Sequence, residues 1–215
     1  MIVHFSTNTF LDREWGDGTA SPSTFNPTQF DPDQWMRAVR DAGAKYVVLV
    51  AKHHDGFCLW PTDQTDYSVK ASPWKNGKGD VVGDVVRAAR KYGLRFGVYL
   101  SPWDRHEPKY SDPREYDKYY LAELTELAQR YGDLVEFWLD GAGSAGHVYD
   151  FKKYVEVLRT YQPNTIVFCR HFAVRVWRCA VGGNGRRPDP VRKLECDRSS
   201  RVLAMAPCGG GYAAP

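Results

Sequence analysis

The feature that most constrains this chain is an alternation of two kinds of segment. Apolar runs recur at 2–6 (IVHFS), 45–53 (KYVVLVAKH), 94–101 (LRFGVYLS) and 134–141 (LVEFWLDG), with a fifth at 164–168 (NTIVF). The run 45–53 is apolar at both alternating sets of positions, as in a strand buried on both faces. Helical patterns fill the gaps at 31–44, 79–93, 114–132 and 149–163. The first opens with Asp31 before Pro32 and closes at Gly43, a matched start and stop. The second places Val82, Val85, Val86 and Ala89 on one face, and the third turns Leu121, Leu124 and Leu127 inward. Strand followed by helix, repeated, predicts a parallel α/β architecture.

A doubly wound sheet would satisfy the same alternation. The placement of polar residues decides for a barrel. His53, Trp103 and Asp140 stand at or just past the C-terminal ends of successive strands, and in a (β/α) barrel those ends converge on one catalytic mouth. No GxGxxG or GxxxxGK loop follows the first strand, so the usual nucleotide-binding signature is absent. A complete eight-stranded barrel takes about 250 residues, and this chain has 215. The expected fold is therefore a partial (β/α) TIM-type barrel of about the first five strands, over 1–168, followed by an irregular tail over 169–215.

Charge supports that division. Residues 1–168 carry 20 Lys+Arg and 23 Asp+Glu, a balance of −3, whereas residues 169–215 carry 9 and 3, a balance of +6. The overall +3 is thus an average of two unlike segments and no sign of nucleic-acid binding. Four of the five cysteines fall in the tail (Cys169, Cys179, Cys196, Cys208) without CxxC or regular spacing, so neither a zinc site nor a disulfide framework is indicated. No apolar run approaches the roughly 20 residues of a transmembrane helix. The opening MIVHFSTNTF has no basic n-region or long apolar h-region. A periplasmic or secreted parent lacking its first residues would read the same way, so the compartment stays open.

Several residue groups could carry chemistry. Asp140 ends the run Phe137-Trp138-Leu139 with Gly141 behind it; a carboxylate held there can act as a nucleophile on an anomeric carbon or cap the following turn. His53 and His54, with Asp55-Gly56-Phe57 after them, suit hydrogen bonding to sugar hydroxyls or, with His4 and Asp140, metal ligation in a hydrolase. Glu14 beside Trp15 is a loop carboxylate next to an indole, a common way to grip a sugar, and also an ordinary turn pattern. Trp60 and Trp103 are candidate stacking platforms or core side chains.

Together these residues resemble one family. HFSTNTF, DREWGDGT, FNPTQFD, AKHHDGFCLWPT, SPWKNGKGDVV, FGVYLSPWDRHEP and FWLDGA stand in the order and spacing of the glycoside hydrolase family 29 α-L-fucosidases, across 1–168. The REWGDGT and YLSPWDRHEP versions are similar to the branch that prefers α-1,3/1,4-linked fucose. The resemblance implies a (β/α) barrel and retaining hydrolysis of fucosylated oligosaccharides or glycoconjugates, with no cofactor or metal and neither nucleic acid nor membrane as partner. It implies Asp140 as nucleophile, His4, His53 and His54 holding fucose hydroxyls, Glu14, Trp15 and Trp60 in the same pocket, and Trp103 near the leaving sugar. A non-catalytic fucose-binding remnant is the alternative from another class. After Phe168 the family pattern stops. The general acid/base Glu expected there is not recognisable, since Glu195 is the only Glu of the tail and lies in no motif. The tail reads as sequence translated out of frame.

Overall fold

The structure, a computed structural model, describes residues 1–141, 144, 146–169 and the backbone of the strand Phe172–Val174. Five strands run parallel in sequence order: β1 (Ile2–Val3), β2 (Tyr46–Lys52), β3 (Arg95–Leu100), β4 (Glu136–Leu139) and β5 (Ile166–Cys169). A sixth, β6 (Phe172–Val174), pairs antiparallel with β5. An unbroken 1-2-3-4-5 order is the barrel connection. A doubly wound sheet would reverse direction at a switch point, and none occurs among the described strands, which do not close into a ring.

Two differences from the sequence reading stand at the end of this region. β5 continues to Cys169, and β6 lies within the stretch expected to be irregular. The first compact unit runs over Met1–Trp177; the second, Arg178–Pro215, lies outside the described residues, and so does the out-of-frame reading of it.

The helices form where capping and periodicity place them. They are α1 (Thr7–Phe10), α2 (Pro32–Asp41), α3 (Val81–Lys91), α4 (Pro113–Arg130) and α5 (Phe151–Tyr161). Asp31, Asp80, Asp112 and Asp150 cap α2 to α5 by accepting from the backbone N–H of Gln34, Gly83, Arg114 and Lys153. Each such cap contributes about 1 kcal/mol. On α3 the expected face, Val82, Val85, Val86 and Ala89, is buried. On α4, Leu124 and Leu127 are buried, but Leu121 only packs at the margin. Tyr116, Tyr119, Tyr120 and Glu123 take up the rest of the inward face of α4.

The sheet has two unlike faces. Its outer residues, among them Leu49, Ala51, Val98, Phe137 and Leu139, join the helices in one large core. Its inner residues form a small separate cluster of Val48, Val50 and Tyr99 with Tyr46 and Trp138. On β5 burial alternates, with Val167 and Cys169 inside while Ile166 and Phe168 are exposed. Period-2 alternation thus sends every second residue of β1 to β4 toward the concave side, and the functional candidates stand where that side reaches the strand ends.

Candidate functional site

Asp140 follows β4 in phase with Glu136 and Trp138, while Phe137 and Leu139 point into the outer core. Its Oδ2 accepts a 3.2 Å hydrogen bond from the hydroxyl of Tyr99 on β3. Tyr99 pairs in register with Trp138 and is 2% exposed. Burial, and then the nearby Asp140 charge, push the Tyr99 phenol well above its ordinary pKa. The phenol therefore stays a donor to the carboxylate at any physiological pH.

Three imidazoles adjoin this pair. His4 continues the inner face of β1, with its ring centroid 5.4 Å from that of His53 and 6.4 Å from the Tyr99 ring. His53 and His54 follow β2 with ring centroids 4.2 Å apart, and both are nearly buried. Burial lowers the His53 pKa to about 3, reinforced by His54 and His4 and opposed by Asp140. Burial, then Arg105 and His4, lower that of His54 to about 4. His4 is lowered as well, again by burial, with Glu14 acting in the opposite direction. At neutral pH the cluster is uncharged.

The tautomer of His54 follows from donor counting. Ser101 Oγ donates its single hydrogen to the Trp103 carbonyl at 2.7 Å. The 2.7 Å contact between His54 Nδ1 and the same Oγ is therefore made by an Nδ1–H donor. In a neutral ring that leaves Nε2 as an acceptor, which suits a ligand hydroxyl.

Aromatic rings wall the site on one side. Trp15 meets His54 and Trp103 edge-on at 5.3 and 5.6 Å, and Trp103 lies 4.9 Å from His54. The loop carrying Glu14 and Trp15 is pinned from outside: Arg105 Nη1 donates to the Gly16 carbonyl at 2.8 Å, and His106 Nδ1 lies 2.7 Å from the Gly18 carbonyl. Glu14, Arg13, Asn8, His4 and His53 line a recess of about 300 Å³, large enough for one small polar ligand. A larger recess of about 460 Å³ sits at the opposite ends of the strands, against Arg90, Asp133 and Gln162. There the polar groups are spent on backbone carbonyls (Arg90 on Tyr131, Gln162 on Ala128 and Gly132), so we read it as structural.

Of the residues singled out from sequence, His4, Glu14, Trp15, His53, His54, Trp103 and Asp140 gather around the mouth. Trp60 does not. It is fully buried, and its indole N–H donates to Glu126 Oε2 at 2.8 Å, so it has no face to offer a sugar. The chain after Phe57 folds back on β2, with Leu59 N–H bonded to the Ala51 carbonyl, and this carries Trp60 into the core. The metal set of His4, His53, His54 and Asp140 is not assembled either: among the described residues no three His, Cys, Asp or Glu side chains are grouped to hold an ion.

Tyr99 and Ser101 were not anticipated. The signal was present, since Tyr99 lies on the inner face of β3 and Ser101 follows that strand in the same phase, two residues before Trp103. Asp55 is also explained. It is buried and accepts from Thr7 Oγ1 at 2.8 Å, tying the His-His turn to α1 rather than facing the mouth.

The family model described as Alpha-L-fucosidase matches residues 4–177. The chain is 49% identical over 171 residues to Alpha-L-fucosidase 1 of Arabidopsis thaliana, covering 78% of this chain and 34% of that protein. Among solved structures, a glycoside hydrolase 29 family member from an unknown rumen bacterium aligns with a TM-score of 0.73 and 44% identity, over 77% of this chain and 32% of the other. A Ruminococcus gnavus GH29 fucosidase in complex with fucose aligns with a TM-score of 0.69 and 36% identity, over 75% and 37%. The chain spans about a third of the length of the curated relatives that it matches at about half identity.

Proposed function

Since the chain belongs to the α-L-fucosidases of glycoside hydrolase family 29, we propose that it is the front part of a catalytic barrel that hydrolyses α-linked L-fucose with retention. Asp140 attacks the anomeric carbon to give a glycosyl-enzyme, which water then opens. Neutral His4, His53 and His54 receive fucose hydroxyls, Glu14 and Trp15 close the same pocket, and Trp103 lines the path of the leaving sugar. The substrate is a fucosylated oligosaccharide or glycoconjugate. The observation that carries this reading is the hydrogen bond from Tyr99 to Asp140 beside three uncharged imidazoles. A carboxylate so placed has an oriented oxygen and polar, uncharged neighbours, as a nucleophile facing a neutral sugar requires.

Residues 1–168 offer no partner carboxylate with a family motif for the acid/base role, and Glu195 lies outside the described residues. General acid assistance supplies roughly 10²–10⁴-fold. This chain as written should therefore form the glycosyl-enzyme only with a leaving group that departs without a proton, and should turn over natural glycans poorly. The exposed Ile166 and Phe168 on the inner face of β5 give the same chain a tendency to aggregate.

The test is incubation with 2-deoxy-2-fluoro-L-fucosyl fluoride followed by peptide mapping. A mass gain on the peptide holding Asp140, absent in Asp140→Ala, is the expected result. A label on any other carboxylate overturns the assignment. Fucose binding with no label at all, equal in Asp140→Ala, would mark a binding remnant instead.

A further inference from the structure

Beneath the mouth lies a buried ionic cluster with no part in the chemistry above. Lys52 Nζ donates to Asp104 Oδ2 at 2.9 Å and to Glu123 Oε2 at 2.5 Å. The three residues are 0%, 2% and 0% exposed. Rings of Tyr116, Tyr119 and Tyr120 surround the ammonium at 5.3–5.8 Å, and the Cys58 thiol donates to the other oxygen of Glu123. Stability alone is a weak reason to bury such a group. Desolvation is costly, and apolar replacements of equal volume are often neutral or better.

Its position gives a better reason. Val48 and Val50 lie in the inner cluster of the sheet, and Leu49 and Ala51 in the outer core. By simple alternation Lys52 would face the mouth and His53 would face away. The register shifts at that point: Val50 pairs with Tyr99 but Lys52 with Leu100, two steps on β2 against one on β3. This is a bulge, the device that re-aims a side chain. It sends Lys52 outward to α4 and leaves His53 and His54 inward. Asp104 extends the tie to a second loop, because its Oδ1 accepts from the backbone N–H of His106 and Glu107, both at 2.9 Å. The His-His-Asp-Gly turn rests on the same carboxylate. At Gly56, with φ +83°, an added Cβ would lie 2.4 Å from Asp104 Oδ1.

We propose that Lys52 is a positioning residue: its ion pair with Asp104, backed by Glu123, fixes the β2 bulge and so sets His53, His54 and Trp103 at the mouth. That these side chains then meet fucose rests on the function proposed above. The geometric claim does not.

The experiment uses the ¹⁵N-labelled 215-residue chain. Lys52→Met/Glu123→Gln removes the ammonium together with one of its two carboxylate partners, while Asp104 keeps the backbone N–H of His106 and Glu107. The primary readout is the downfield imidazole Nδ1–H resonance of His54, held by Ser101, which reports orientation without any sugar. The double variant should keep a cooperative melt, lose or shift that resonance, and bind L-fucose at least tenfold more weakly. Glu123→Gln alone, which keeps the Lys52–Asp104 pair, should retain both the resonance and the affinity. A folded double variant with the native resonance overturns the proposal, whatever fucose does. Failure of the unsubstituted chain to bind fucose counts against the sugar reading, and the resonance still decides the positioning claim. Where the double variant does not fold, Asp104→Asn decides by the same resonance. If neither folds, the cluster serves folding alone and the proposal falls.

Discussion

Tyr99 holds Asp140 across the seam between β3 and β4, hydroxyl to Oδ2 at 3.2 Å. Hydrogen bonds to a charged partner contribute about 1.5–3 kcal/mol, and here the bond orients the proposed nucleophile. Tyr99→Phe should leave the fold intact, because the ring stays in the inner cluster with Val48 and Val50. Labelling by the fluorinated fucosyl fluoride should slow about ten- to hundredfold. An unchanged labelling rate would mean that the bond has no part in orienting Asp140.

The lowered histidine pKa values carry a prediction for stability against pH. An unfolded histidine takes up its proton as pH falls through the ordinary value of about 6.5. His53 and His54 in the folded chain resist until about 3 and 4. Between those limits the unfolded state binds more protons, so stability declines as pH falls and is fully present above about 6.5. The melting temperature should therefore drop steadily from pH 7 toward pH 4. His54→Gln should flatten that slope, because a group that titrates only when unfolded has been removed. A variant melting profile parallel to the original across this window would refute the assignment to His54.

Trp60 and Trp103 should separate cleanly. Trp60→Phe removes a buried indole donor to Glu126, which keeps its bonds to Gln64 and the Asp63 backbone. The loss of the hydrogen bond and of ring volume should cost about 2–3 kcal/mol and lower the melting temperature by several degrees, with fucose affinity unchanged. Trp103→Ala should do the reverse: little change in melting, and L-fucose affinity reduced about tenfold because Trp103 backs the rings of His54 and Trp15. Calorimetric titration with L-fucose alongside thermal melts decides between the two patterns. Weaker fucose binding in Trp60→Phe would restore Trp60 to the pocket.

This contrast also marks how far the sequence could be read. The order of strands and helices was legible because apolar runs change period from two to about 3.6 between capped boundaries. The place of Asp140 at the mouth was legible because it stands at the C-terminal end of a strand, where the strand ends of a (β/α) barrel converge. Trp60 was misplaced because a tryptophan beside a strand end looks alike whether its chain runs outward or folds back, and only the bond from Leu59 to Ala51 decides that. Lys52 was invisible for a related reason: period-two counting put it on the concave face, and a one-residue register shift is a property of paired strands that neither strand encodes alone. The tie from Glu123 to Lys52 spans 71 residues, beyond any local pattern.

Gly16 offers the sharpest test of how the Glu14–Trp15 loop is held. A Cβ added there would lie 2.4 Å from Asn8 Oδ1 and 2.8 Å from Asp55 Cβ. The Asn8 amide can rotate aside, but Asp55 Cβ cannot, since Asp55 is buried and bonded to Thr7. In Gly16→Ala the loop itself must lift, breaking the 2.8 Å bond from Arg105 to the Gly16 carbonyl and the edge contacts of Trp15 with His54 and Trp103. The sheet and helices lie outside that strain, so the melting temperature should change by only a few degrees. Trypsin should then cut after Arg13, already an exposed residue, several-fold faster than in the unsubstituted chain. L-fucose affinity should fall at least tenfold, because Glu14 and Trp15 move together. Faster cleavage with native affinity would show that the loop can lift without opening the pocket, and would remove Glu14 and Trp15 from the proposed binding set.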